Sequence, residues 1–227
     1  MKNIITRELP LVMQPVNGSS WICGASCLAM LFQSEAFASM NLPKEQNEIA
    51  QYVLAPRPNQ PGQYYCDNLR MLNYVNQLGF PAAYVSVSDP VKSLKICQEK
   101  GLEAILLLRF NPKHGAHFVT FSSISKYGVF VNDPLRSTTT FDPQKENLNK
   151  KISLSELPKL MARVNAYDSE IIVPNSMLVI SPPSINESYF IHECRDCGTK
   201  MKLPLVLKHQ IKHILYPCDH GIYWVKI

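Results

Sequence analysis

The stretch NGSSWICGASCLAM, residues 17–30, decides how this chain is read. A polar, glycine-bearing loop runs into an apolar stretch, with a cysteine at the junction. Leu28, Leu31, Phe32 and Ala36 recur near helical spacing, and Ala and Met favour helix, so a helix is predicted from about Cys23 to Phe37. Cys23 then stands at a helix N-terminus. Unpaired backbone N–H groups and the helix dipole stabilise a thiolate there, and the thiolate is the reactive form of cysteine. Gly24 permits close backbone approach, and the Cys23 N–H is open to an oxyanion. Cys27, one turn later, reads as core filling, because free cysteine is among the most buried residue types.

Outward from this point helices come first. Pro43 is a favoured first helical position for a second helix through Ile49 and Val53. Ala55 to Tyr65 carries three prolines and a glycine and reads as a loop. Asp67 is placed to cap a third helix that ends near Gly79, and Asp89-Pro90 to start a fourth that Gly101 terminates. Strand-like runs follow or intervene at Ala83–Val87, Ala104–Leu108, His117–Ile124, Gly128–Asp133 and Met177–Ile180, with SKYG as a hairpin turn. Ser153 and Glu156 form a capping-box pattern before Leu157, Leu160 and Met161. Helices first and strands clustered afterwards predict an α+β fold. Ser181 to Ser188 is polar and proline-bearing, so the chain divides into 1–181, a linker 182–188 and a tail 189–227.

Composition narrows the function classes. The chain has 227 residues, 46% of them apolar and 18% charged, with a net charge of +5. Disorder is excluded at that hydrophobicity, and the charge is too small to argue for nucleic acid alone. No apolar run reaches the ~20 residues of a membrane span, and no cleavable signal peptide is visible. These features point to the cytoplasm, or to export by a route without such a signal. Seven cysteines is an odd count in a chain of this size, which argues against a disulfide framework. Such cysteines carry catalysis, bind metal or fill core.

A nucleophilic cysteine needs a base and an orienting group. Six histidines are available, four of them in the tail. His114 lies in a loop. His117 starts a strand after Gly115-Ala116, where a side chain can face a cleft. Asp133 ends the next strand in VNDP, and the SKYG hairpin returns it to the same end of the sheet as His117. A carboxylate there would fix the imidazole tautomer and stabilise the imidazolium. Asp before Pro is also an ordinary turn former. Gln14, upstream of Cys23, has an amide that could donate to a developing oxyanion.

Gln14, the run Cys23 to Met30, Ala116-His117-Phe118-Val119 and Val131-Asn132-Asp133-Pro134 together resemble the papain-like cysteine peptidases. The resemblance is to the bacterial leader peptidases that cut bacteriocin precursors after a double glycine, and to their free-standing relatives. It spans roughly residues 1–181 and implies an N-terminal helical lobe bearing the nucleophile helix and an antiparallel sheet lobe. It also implies Cys23 as nucleophile, His117 as general base and acid, Asp133 as orienting carboxylate and Gln14 as oxyanion donor. In that group the first cysteine of a pair four apart is catalytic, which favours Cys23 over Cys27. Gln14 stands nine residues before Cys23, a longer gap than is usual, and Ala116 stands where glycine is common. The 227 residues show no transporter segment, so a double-glycine substrate is not expected from the resemblance alone.

The tail carries its own pattern. Cys194-x-x-Cys197-Gly198 and Cys218-Asp219-His220-Gly221 are two turns bearing three thiolates and an imidazole. That set suits tetrahedral zinc, and the outer spacing resembles a zinc ribbon. His192 or His213 could replace His220 as fourth ligand. A closed four-ligand set is structural, and a ~40-residue module needs metal to fold alone. Catalysis itself requires no cofactor.

Three functions compete. The first is a cysteine peptidase or related amide hydrolase acting on a peptide or protein through a covalent acyl-enzyme, extending to isopeptide bonds or acyl transfer. The second is a non-catalytic peptide- or protein-binding module that uses the cleft, with the ribbon as adaptor. The third is a nucleic-acid-binding ribbon with an appended domain, against which the modest charge argues. Oligomeric state is not legible. On these readings Cys27, Cys66 and Cys97 fill core.

Overall fold

The apolar runs of the second half of the chain are long enough to bury strands on both faces, and they assemble into one sheet. A computed structural model describes residues 9–13, 20–57, 60–110, 116–135, 146–162, 173–185, 188–195, 197–218 and 221–226. The order of elements is β1 (Ser20–Trp21), α1 (Cys23–Phe32), α2 (Gln46–Val53), β2 (Leu54–Pro56), β3 (Tyr64–Cys66) and α3 (Asn68–Gln77). Then come β4 (Ala82–Val87), α4 (Pro90–Lys100), β5 (Glu103–Leu108), β6 (His117–Ser125), β7 (Gly128–Asn132) and β8 (Lys150–Ile152). The chain continues through α5 (Leu157–Ala162), β9 (Ser176–Ile180), β10 (Tyr189–Glu193), β11 (Lys200–Pro204), β12 (Ile211–Cys218) and β13 (Gly221–Lys226). The fold is α+β, built on an eight-stranded sheet of order β13-β12-β4-β9-β5-β6-β7-β8. Every pairing in that sheet is antiparallel.

Most local signals act where they were expected; Pro43 does not open the second helix, which starts at Gln46 behind Glu45. Asp67 Oδ1 accepts from the Arg70 N–H at 2.8 Å, and Asp89 Oδ1 from the Lys92 N–H at 3.0 Å. Gly101 closes α4 in the left-handed region at φ +71°. Ser125 faces Gly128 across the two-residue turn of the β6–β7 hairpin. The Glu156 N–H bonds Ser153 Oγ at 3.2 Å ahead of α5.

Three differences from expectation have physical causes. α1 stops at Phe32, because the Ser34 hydroxyl and N–H both donate to the Leu31 carbonyl and the chain passes into a 3-10 turn at Glu35–Phe37. The proline-bearing segment 55–65 is not all loop: β2 and β3 pair antiparallel within it, and β3 pairs β1 in parallel. The tail contributes to two sheets. β10 and β11 form a two-stranded sheet, while β12 hydrogen-bonds β4 and so extends the large one. Ile214, Leu215 and Tyr216 are buried in the common core, so β12 is covered on both faces at this point.

All ten residues of α1 are buried. The helix is therefore wrapped by α2, β3, β5 and β6 rather than lying on the surface with one apolar stripe. A cysteine at its first position is held on every side. Among the described residues no helix is long and apolar enough to cross a membrane.

Candidate active site

Cys23 is the first residue of α1, and His117 the first of β6. β6 packs against α1, and the Thr120 hydroxyl donates toward the Cys27 carbonyl at 3.5 Å, which fixes the strand against the helix. Asp133 directly follows β7, the hairpin partner of β6. The structure thus brings Cys23, His117 and Asp133 together from three elements. All three are buried, with Cys23 at 5% exposure.

His117 Nε2 lies 2.7 Å from Asp133 Oδ1. The imidazole also hydrogen-bonds Cys23, which leaves Nδ1 as the nitrogen for the sulfur. Burial works against a thiolate at Cys23. The charge of the His117 imidazolium, its hydrogen bond and the Phe118 and Gly24 N–H groups outweigh burial, so the Cys23 pKa is lowered. Burial likewise opposes the imidazolium, but the Cys23 thiolate and the Asp133 hydrogen bond carry the His117 pKa up to about 10. Asp133 resists its own burial through His117 and Lys150, and lies well below the usual carboxylate range. The arrangement thus favours a thiolate beside an imidazolium, backed by a carboxylate. Cys27 is the opposite case: burial pushes its thiol well above the ordinary value, against a single hydrogen bond from Thr120.

Residues not singled out in the sequence complete the site. Lys150 Nζ donates to Asp133 Oδ2 at 2.8 Å and sits 4.3 Å from the Phe110 ring centroid. The Leu135 N–H donates to Asp133 Oδ1 at 2.9 Å. The Asn147 amide donates to the Asp133 and Leu135 carbonyls at 2.8 and 2.6 Å. Asn132 is fully buried; its Nδ2 donates to the Leu9 carbonyl at 3.2 Å and its Oδ1 accepts from the Asn149 N–H at 2.9 Å. Asn149 takes a left-handed φ of +51°, a conformation Asn tolerates well. Lys150-Lys151-Ile152 has no apolar/polar alternation to mark it as a strand, yet it pairs with β7 and sets Lys150 opposite Val131.

Gly24 serves packing. A Cβ there would fall 2.6 Å from Met71 Sδ and 2.9 Å from Cys66 Cβ. Gln14 and His114 lie outside the described residues, as does His220.

In the tail, the Gly198 N–H bonds the Cys194 carbonyl and the Cys194 N–H bonds the Thr199 carbonyl, both at 2.9 Å. Gly198 closes this turn at φ +69°. Cys194 is buried and Cys197 half-buried, 3.0 Å from Thr199 Oγ1. The His192 Nδ1 hydrogen-bonds the Tyr216 hydroxyl, so β10 touches β12 two residues before Cys194 and two before Cys218. His213 Nδ1 is buried without a hydrogen-bond partner among the described residues, but Cys218 lies five positions further along the strand, about 16 Å of rise. Among the described residues no three His, Cys, Asp or Glu side chains cluster as metal ligands, and the Cys218 side chain lies outside them.

No protein-family model matches the chain, and no curated protein matches it. Among solved structures it is similar to a double glycine motif protease from an AMS/PCAT transporter, crystallised in complex with the leader peptide. The identity is 18%, the match covers 78% of this chain and 94% of that one, and the TM-score is 0.46.

Proposed function

We propose that the protein is a cysteine-dependent peptidase or amide hydrolase, papain-like in fold. The observation that carries this reading is the buried line Cys23–His117–Asp133, in which the thiol is lowered while its neighbours Cys27 and Cys66 are raised. Structural cysteines have no need of such a contrast.

The Cys23 thiolate attacks the substrate carbonyl and forms the C–S bond. The oxyanion faces the Cys23 N–H, which as the first in α1 has no acceptor within the helix. Gln14 is proposed as the second donor, and the hydrogen bond from Asn132 to Leu9 anchors the segment leading to it. His117 gives its proton to the leaving amine as the C–N bond breaks. It then takes a proton from water, which attacks the acyl-enzyme and releases the thiolate. Asp133 keeps the imidazole in the required orientation throughout. An acceptor amine in place of water turns the same cycle into acyl transfer. Trp21 and Tyr64, exposed on neighbouring strands β1 and β3, offer apolar contact for an extended peptide beside Cys23.

Incubation with a peptide vinyl sulfone, followed by peptide mapping, tests the reading. A covalent adduct at Cys23, lost in Cys23→Ala and in His117→Ala, is expected. Labelling that spares Cys23 while reaching other cysteines would refute it and leave a non-catalytic peptide-binding cleft.

The tail, 189–227, is proposed to hold a structural zinc ion while its strand β12 stays paired with β4 of the proposed peptidase part, 1–181, across the segment 182–188. Cys194, Cys197, Cys218 and His220 would hold the ion. The closed Cys194–Gly198 turn and the His192–Tyr216 contact support this set, since they draw the two turn-bearing hairpins together. Bound there, zinc would supply folding energy and tie β10–β11 to β12–β13.

A further inference from the structure

Cys66 has no part in the mechanism above, yet it lies against the nucleophile. The parallel pairing of β1 with β3 sets Trp21 opposite Tyr65, so Ile22, which leads into α1, and Cys66, which ends β3, follow at the same level. Gly24, the neighbour of Cys23, would place a Cβ only 2.9 Å from Cys66 Cβ and 3.1 Å from Cys66 Sγ. The two sulfurs share a donor: the Gly24 N–H bonds both Cys23 and Cys66, and the Ala25 N–H bonds Cys66 as well. Both thiols flank Gly24 at the mouth of one helix, so a bond between them would join side chains packed around the same residue. Cys27 differs, since it is a full turn deeper and engaged by Thr120.

We propose that Cys23 and Cys66 form a reversible oxidation site for hydroperoxides, with Cys23 as the peroxidatic thiol and Cys66 as the resolving thiol. The Cys23 thiolate attacks the distal oxygen of the hydroperoxide; the S–O bond forms, the O–O bond breaks, and the alcohol or water leaves with a proton. The sulfur loses two electrons and the peroxide gains them. The Cys66 sulfur then attacks the Cys23 sulfenic acid; the S–S bond forms, the S–O bond breaks, and water leaves with the Cys66 proton. A dithiol reductant returns both thiols by two exchanges.

The electrostatics suit this order of events. Cys66 is held protonated first by burial and next by the negative charge of Cys23. Oxidation to a neutral sulfenic acid removes that charge while the Gly24 and Ala25 N–H groups stay in place. Cys66 is thus quiet beside a working nucleophile and activated beside an oxidised one. The disulfide would block the nucleophile and protect it from irreversible oxidation. That consequence rests on the peptidase reading; the sulfur chemistry does not.

The test uses the full chain exposed to graded hydrogen peroxide, quenched with iodoacetamide and mapped without reduction. The expected product is a Cys23–Cys66 cross-linked peptide pair, removed by dithiothreitol with recovery of vinyl sulfone labelling. In Cys66→Ser the cross-link is lost, dimedone traps a sulfenic acid at Cys23, and higher peroxide gives sulfinic acid that dithiothreitol does not reverse. Cys27→Ser leaves the cross-link unchanged. Sulfinic acid accumulating at Cys23 equally in the wild type and Cys66→Ser overturns the proposal, as does a Cys23–Cys27 bond. The wild-type map needs no variant to fold. A cross-link in protein that vinyl sulfone never labels would sink the peptidase reading and keep the thiol pair; labelling without a cross-link would do the reverse.

Discussion

Lys150→Met separates the electrostatic role of Lys150 from simple bracing. Its Nζ meets Asp133 Oδ2 at 2.8 Å, while Oδ1 is shared by His117 and the Leu135 N–H. Asp133 keeps two donors without Lys150, so it stays ionised at neutral pH. What changes is the charge seen by the ion pair. Cys23 lies beyond the imidazole from Lys150, and a unit charge about 10 Å away acts with about 1.7 kcal/mol at an effective dielectric of 20. The Lys150 side chain is 38% exposed, and solvent reduces that figure to about 1 kcal/mol, somewhat under one pKa unit. Removing a positive charge disfavours the Cys23 thiolate and favours the His117 imidazolium. Both pKa values therefore rise. The assay is the rate of iodoacetamide capture at Cys23 against pH, read by mass spectrometry. The acid limb should move upward by roughly half to one unit, Lys150→Arg should track the wild type, and thermal stability should fall only slightly. A limb that stays put while stability drops would show Lys150 to be a brace alone, and a downward move would refute the charge argument outright.

Asp133 has a depressed pKa in the folded state, so its contribution to stability is full above the ordinary value of 3.8 and is lost as pH falls through that region; chemical denaturation between about pH 6 and 3 should show a steeper loss for wild type than for Asp133→Asn. His117 must be protonated to release the leaving amine, and its raised pKa keeps it so until about pH 10; peptide hydrolysis should decline as pH rises through that value, and at lower pH in Asp133→Asn. Gly24→Ala places a methyl 2.6 Å from Met71 Sδ and 2.9 Å from Cys66 Cβ, which should cost about 1–3 kcal/mol by denaturant titration. Cys194→Ser should lower the zinc content of purified protein measured by elemental analysis and destabilise the tail to limited proteolysis, while vinyl sulfone labelling of Cys23 persists; full metal content in that variant would contradict the ligand set.

What was legible in the sequence is what short-range chemistry controls. Asp67 and Asp89 cap helices because their carboxylates reach N–H groups three residues on, and Gly101 ends α4 because its φ of +71° favours glycine. The His117–Asp133 contact was legible because a two-residue turn brings 117 and 133 back to one end of a hairpin. The rest depends on distant partners. The β12–β4 pairing joins residues more than a hundred positions apart, and no local pattern specifies it. Cys66 read as filler because its neighbour across the β1–β3 pairing lies over forty residues earlier. Lys150 read as one lysine among many, since only the register of β8 on β7 sets it opposite Val131 and within reach of Asp133.

The turn at Asp133-Pro134 shows why a commonplace local motif and a functional one can be the same object. Asp before Pro forms a turn when its carboxylate accepts from the N–H two residues on, and Asp133 Oδ1 does accept from Leu135 at 2.9 Å. That same oxygen faces His117 Nε2 at 2.7 Å. The turn hydrogen bond therefore fixes the rotation of the carboxylate that orients the imidazole, and Lys150 fixes its other oxygen. One residue earlier, Asn132 binds the Leu9 carbonyl on one side and the Asn149 N–H on the other. The strap that leads toward Gln14 and the turn that delivers Lys150 are thus pinned to adjacent residues. A loop-forming tripeptide at the end of β7 supplies the carboxylate, its rotamer and the attachment of both flanking segments. Preorganisation of this kind needs no strain, only polar groups whose local and long-range partners coincide.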